Sequence, residues 1–206
     1  MQKKEKESDP EAAVRVKEQS ALLRWNREIR FAMESKDFVA AYYDADSVLI
    51  EDEPKTLYIV VKNKEGAYAN LEFILGIKFV SGRGADKLVF PFNPPKVTII
   101  PALYHANIYP GGSICLDVIR DDKWAPMYGV NAIVQSMALL LETPNCSSPA
   151  NSDASHDYSK YHEKQPKKYR EILEAKYKAG LTKEVQSMID KIKEMHMESV
   201  VSQAKP

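Results

Sequence analysis

The order of hydrophobic periods along the chain predicts an α+β fold with segregated elements: an N-terminal helix, a four-stranded antiparallel meander, a long cysteine-bearing loop, then C-terminal helices. Three observations carry that expectation. Apolar residues recur every three to four positions before residue 35, tend toward alternation between 38 and 100, and return to the helical period after 130. Gly- and Pro-marked turns separate the alternating runs. Residues 101–129 hold Pro101, Pro110, Gly111, Gly112, Pro126 and Gly129, an irregular stretch of a length that a compact domain keeps for function.

Residues 1–9 are of mixed charge without an apolar anchor and read as a disordered tail. Pro10, with Asp9 before it as N-cap, opens a helix running to about Ser35, with Leu22, Trp25, Ile29 and Met33 as its buried stripe. Arg24, Arg27 and Arg30 recur off that stripe, as a solvated helix face would. A strand candidate lies in VAAYYDADSVLIEDEP, with a turn at Pro54. TLYIVVKN and LEFILGIKFV, separated by the turn KEGA, read as a hairpin. SGRGADK is a loop, and KVTII forms a fourth strand after the proline-rich PFNPP.

VNAIVQSMALLLE returns to the helical period with a wide apolar face of Val130, Ile133, Val134, Met137, Leu140 and Leu141. DASHDYSKYHEK suits a further helix with Asp153 or Ser152 as its N-cap. Pro166 opens another, facing inward with Tyr169, Ile172, Leu173 and Tyr177 and closed by Gly180. A last helix begins near Thr182, and its stripe of Val185, Met188, Ile192 and Met195 suits either a core face or a partner-binding one. The expected division is a tail at 1–9, one domain at 10–180 and a helical extension at 181–206.

Composition excludes several classes of function. Apolar residues make up 44% of the 206, enough for a sizeable core. Lys+Arg and Asp+Glu are 29 each, and a zero balance argues against nucleic acid as the main partner. Cys115 and Cys146 stand without a zinc spacing or a disulfide framework, so neither a metal nor a cofactor is expected. With no apolar targeting segment at the start and no membrane-length apolar run, a soluble protein of the cytoplasm or nucleus is expected.

Taken alone, Cys115 inside SICLDVI reads as an inert thiol facing the core. Its surroundings say otherwise. FPFNPPKV, HAN at 105–107, GGSICLD at 111–117, WAP at 124–126 and LLETPNCSSPAN at 140–151 follow one another in order. The series resembles the catalytic core of the ubiquitin-conjugating enzymes, whose YPFxPPKV, HPN, GxICLD, WSP and LLxxPNxxxPxN segments come in the same order. The eight-residue step from Asn107 to Cys115 also matches.

That resemblance implies an acyl carrier: Cys115 accepts the C-terminus of ubiquitin or a ubiquitin-like protein from an activating enzyme and yields it to a substrate lysine. A thiol suits the task because its thiolate is nucleophilic near neutral pH and leaves readily from an acyl centre. By the same resemblance Asn107 offers an amide donor to the developing oxyanion, or it holds the loop by hydrogen bonds to backbone. His105, which sits at a spacing that invites a Cys–His dyad, becomes a brace of the active-site loop. Asp117 is a nearby acid, and Asp121 and Asp122 read as solvated loop charges.

A RING- or U-box-type ligase is implied at Phe92, Pro126 and Met127, unless Phe92 fills its own loop. The activating enzyme is implied on the first helix, at Arg24, Arg27 and Arg30. The chain also departs from the pattern. Ala106 replaces the proline of HPN, which loosens the backbone before Asn107. Ser148 stands where many members carry an acid that orients the incoming lysine. The family's GPxxTPYxGG stretch is missing. These departures leave open a second reading, a ubiquitin-binding module without its own chemistry.

Overall fold

The computed structural model describes residues 10–46, 49, 55–79 and 90–203. The tail at 1–9, the turn at Pro54 and the loop at 81–87 lie outside the described residues. The elements are α1 (Pro10–Glu34), β1 (Ala40–Asp44), β2 (Thr56–Lys62), β3 (Glu72–Lys78), β4 (Lys96–Ile100), a 3₁₀ turn (Asp117–Ile119), α2 (Val130–Glu142), α3 (Ser152–Tyr161), α4 (Pro166–Gly180) and α5 (Lys183–Gln203). The strands pair in the order β1-β2-β3-β4, each antiparallel to the next, as the meander reading predicts.

Register explains why the strands read as nearly continuous apolar runs. Tyr58, Gly76 and Thr98 stand opposite one another, as do Val60, Ile74 and Ile100. The alternate positions Leu57, Ile59, Phe73, Leu75, Ile77, Val97 and Ile99 point to the other face. That inner set merges with Trp25 of α1, Ile133 and Met137 of α2, and Tyr169 and Leu173 of α4 in one core cluster. The outer set, Ala40, Tyr58, Val60 and Ile74, is buried under Ile189 and Ile192 of α5. The last helix is therefore docked on the sheet. Its innermost residues are Ile189 and Ile192, both fully buried, while Val185 and Met188 pack at the margin of that cluster.

Two sequence expectations for α1 are corrected. Leu22 is 60% exposed, and among the described side chains of α1 the buried ones are Ala21, Trp25, Glu28 and Ala32. One residue is a turn of about 100° on a helix. The small Ala21 and Ala32 let the helix approach closely, and Trp25 takes the inward position against Phe79 and Phe90. Arg24 is not part of a solvated face either. Its side chain is only 19% exposed and bonds Glu28 at 2.7 Å, while its guanidinium donates to the carbonyls of Pro126, Met127 and Tyr128.

Glu28 completes this tie across the fold. The residue before α2 is Gly129, which has no side chain to cap the helix, and the Val130 N–H donates instead to Glu28 Oε2 at 2.8 Å. A Cβ at Gly129 would run into that carboxylate. Glu28→Ala is expected to lower stability by about 1–3 kcal/mol, because it strands the buried Val130 N–H and takes from Arg24 its only carboxylate partner among the described residues. A urea midpoint equal to that of the parent chain would refute the capping role.

Candidate active site

The cysteine loop takes its shape from a tight turn pinned to β4. Ile99 N donates to Gly112 O at 2.9 Å, Gly112 N to Tyr109 O at 2.8 Å, and Tyr109 N to Ser113 O at 2.9 Å. Gly112 has φ of +81°, and a Cβ there would meet the Ile99 carbonyl, so the second glycine of the GG pair is the one that the turn demands. The two arms of the turn then lie side by side. Ile108 bridges Ile114, and Cys115 N donates to Asn107 O at 2.8 Å. This pairing is the physical content of the eight-residue step from Asn107 to Cys115.

On the outgoing arm Leu116 is buried and Cys115 is exposed, so extended alternation lifts the thiol out of the core. The core-facing reading of the isolated SICLDVI run is thereby corrected. Cys115 opens into a groove shared with Asn107, Asp117, Arg120, Leu139 and Ser148. Cys146 is a second free thiol, half-buried.

Asn107 is 2% exposed and faces the loop that ends the groove. Its Nδ2 donates to Asn145 O and its Oδ1 accepts from Asn145 N, both at 2.8 Å. Asn145 in turn accepts from Ser147 through both N–H and Oγ. The Ala106 carbonyl accepts from Ala150 N at 2.7 Å and Asn151 N at 3.0 Å. The backbone freedom expected from Ala106 is thus taken up by hydrogen bonds to the neighbouring loop. Asn151, and not Ser152 or Asp153, caps α3, accepting from Ala154 N.

His105 is buried beneath this arrangement. Its Nδ1 accepts from Asn107 N at 3.0 Å, which leaves Nε2–H to donate to Leu140 O at 2.9 Å, in the last turn of α2. Both ring nitrogens are spoken for, so the ring braces the loop and makes no dyad with Cys115. Burial pushes its pKa down to about 4. A lowered histidine pKa means that the unfolded chain takes up the proton first, so stability held above about pH 6.5 is lost as pH falls toward 4. That loss is expected to reach about 3 kcal/mol in urea titrations, and His105→Gln should flatten this part of the profile. An unchanged pH profile in the variant would overturn it.

The remaining predicted residues fall at two further places. Trp124 Nε1 donates to Pro91 O at 2.7 Å, tying the PFNPP loop to the WAP loop. Phe90 is the aromatic that fills the core there, packed on Trp124, while Phe92 is 41% exposed and Met127 80% exposed. Pro126 is exposed beside it. Arg27 and Arg30 are exposed on α1. Asp117 is exposed and 3.5 Å from Arg120, whose guanidinium is held by both carboxylate oxygens of Asp122 at 3.0 Å. Asp122 is therefore exposed but paired. Sequence reasoning missed Asn145 and Glu28, whose roles rest on partners 38 and 102 residues away. Among the described residues no group of His, Cys, Asp or Glu is placed to hold a metal, and no helix is long and apolar enough to cross a membrane.

Comparison with known proteins bears on the whole arrangement. A family model described as "Ubiquitin-conjugating enzyme" matches residues 24–175. Ubiquitin-conjugating enzyme E2 2 of Yarrowia lipolytica is 39% identical over 88 residues, which are 43% of this chain and 58% of that protein. Ubiquitin-conjugating enzyme E2 1 of Caenorhabditis elegans is 41% identical over 85 residues, 41% of this chain and 44% of that protein. The chain spans about half the length of the curated relatives that it matches. S. cerevisiae Ubc12 shares the fold at a TM-score of 0.61 and 21% identity, covering 85% of this chain and 92% of that one.

Proposed function

The chain belongs to the ubiquitin-conjugating enzyme family, and from that premise we propose that it carries ubiquitin or a ubiquitin-like protein as a thioester on Cys115 and passes it to a substrate lysine. The observation that carries the reading is the exposed Cys115 thiol, held by Asn107 at the mouth of a groove. In the first step the Cys115 thiolate attacks the activating enzyme's thioester; the new S–C bond forms as that enzyme's thiolate leaves. In the second step a lysine amine attacks the carbonyl, gives up a proton, and expels the Cys115 thiolate, leaving an amide.

Neither step draws on His105, whose nitrogens are both engaged. Ser148 borders the groove without a carboxylate, so the lysine's proton leaves to solvent, to the exposed Asp117 on the same groove, or to a group that a ligase brings. The exposed Phe92, Pro126 and Met127 suit a RING- or U-box-type ligase, and Arg27 and Arg30 suit the activating enzyme. The two docking sites share a support, because Arg24 of α1 holds the carbonyls of Pro126 and Met127. A reducing compartment, cytoplasm or nucleus, fits two free cysteines.

Incubation with activating enzyme, ATP and a panel of modifiers tests the proposal. One modifier is expected to form an adduct that thiol reductant cleaves, and Cys115→Ser should convert it to a reductant-resistant ester. Absence of an adduct with every modifier would overturn the proposal. If Cys115→Ala then bound ubiquitin as tightly as the parent chain, the non-catalytic binding module would stand in its place.

A further inference from the structure

The corner where α3 gives way to α4 carries a feature that the acyl-carrier reading does not use. Between residues 158 and 168 the chain places Lys160, Lys164, Lys167 and Lys168 against a single acid, Glu163, in a protein whose net charge is zero. All four lysines are exposed, and among the described residues none of them has a carboxylate within ion-pair distance. Two converge on one ring: Lys168 Nζ lies 4.5 Å and Lys160 Nζ 5.1 Å from the centroid of Tyr161. Like charges gathered around one aromatic ring repel, and an anion placed between them relieves that repulsion.

We propose that Lys160, Tyr161, Lys164 and Lys168 form a docking surface for a short Asp/Glu-rich segment of a protein partner. Tyr161 is half-buried against the core and so fixes the platform, while the three ammonium groups stay in water. The phenol of Tyr161 is drawn below its ordinary value, hydrogen bonding from Lys160 being the largest cause, so the hydroxyl itself samples a positive environment.

Other partners fit less well. A lipid surface would want apolar side chains to insert, and no large hydrophobic residue between 152 and 181 is exposed. Nucleic acid is favoured by a basic excess over the whole domain, which the 29 cationic and 29 anionic residues do not provide. A few lysines at one corner match a few carboxylates.

Position gives the surface a use, and this part rests on the proposed function. α3 has 10 residues and begins just after the loop that borders the Cys115 groove. Its far end is about 15 Å from its start at 1.5 Å per residue. A partner held there by an acidic stretch would present its neighbouring lysines to Cys115.

The test is fluorescence anisotropy of a fluorescein-labelled deca-glutamate peptide, titrated with the full chain carrying Cys115→Ser so that no thioester forms. Saturable, salt-sensitive binding is expected, weakened about tenfold in K160Q/K168Q and less than twofold in K64Q/K183Q, which removes the same charge from exposed sites elsewhere. Circular dichroism should show both double variants folded. Equal weakening in the two, no saturable binding, or tighter binding of an oligothymidine of equal charge would each overturn the docking surface. Charging of K160Q/K168Q with Cys115 restored is measured separately. Its failure together with that of the parent chain would fall on the proposed function and leave the binding result standing.

Discussion

Removal of residues 182–206 is expected to unfold the domain or leave it aggregating, because α5 is the cover of one face of the sheet. Ile189 and Ile192 are both fully buried, against Ala40, Tyr58, Val60 and Ile74. Burial of one such aliphatic side chain is worth about 1.5–3 kcal/mol, so these two alone supply about 3–6 kcal/mol. The loss is comparable with the whole stability of a domain, about 5–15 kcal/mol, before the newly wetted sheet residues are counted. The Lys193–Glu72 ion pair at 2.7 Å adds at most about 1 kcal/mol, since both side chains are partly exposed.

The milder variant Ile192→Ala keeps the helix and removes one contact, with an expected cost of about 2–5 kcal/mol. Urea unfolding followed by circular dichroism measures both. A truncated chain with the parent midpoint would mean that the outer face tolerates water, and the role given to α5 would fail.

The same helix shows where the sequence stops being readable. A stripe of Val185, Met188, Ile192 and Met195 has one appearance whether it meets a sheet or a partner. What decides is an outer sheet face of Val60, Ile74 and Ile100, and that face becomes visible only once the register of β2, β3 and β4 is known. Element types were legible because period two and period 3.6 are properties of the chain itself. Faces were less so. Leu22 looks like a better core residue than Ala21, yet helix α1 approaches closely enough that the alanine goes in. Phe90 and Phe92 flank one proline, and only packing on Trp25 and Trp124 tells which of them is core.

The site divides in the same way. Cys115 and its distance to Asn107 were legible from the motifs, because a turn with a fixed hydrogen-bond pattern needs a fixed number of residues. The partners of its neighbours were not. Asn151, Ser152 and Asp153 are all good caps by type, and the choice falls to Asn151, whose N–H is already held by the Ala106 carbonyl. Arg24 looked like one of three equivalent basic residues. Its distinction is the trio of carbonyls at 126–128, which α1 meets only in the folded chain.

Asn107→Ala is expected to cost about 1–3 kcal/mol in stability, since it removes both hydrogen bonds that the buried Asn107 side chain makes to the backbone of Asn145. On the proposed thioester function, the loss of activity should be larger in discharge to a lysine than in charging. Charging needs the Cys115 thiol, which the backbone bond from Cys115 N to Asn107 O still places in the variant. Discharge to a lysine also needs the wall of the groove, and that wall is the loop bearing Asn145 and Ser148. Because displacement by about 1 Å at a reacting centre costs about a hundredfold in rate, single-turnover discharge to free lysine should fall by about that factor. Asn107→Asp separates the two parts of the clamp: it keeps an acceptor for Asn145 N and turns a carboxylate toward Asn145 O. It should therefore be no more active than the alanine variant. An amide has two protons on Nδ2, and one goes to Asn145, so holding the loop and offering a donor to an oxyanion are compatible roles for one side chain. The urea midpoint distinguishes them: a slow discharge with an unchanged midpoint would assign Asn107 to the oxyanion alone, whereas both falling together makes the loop clamp part of how the enzyme works.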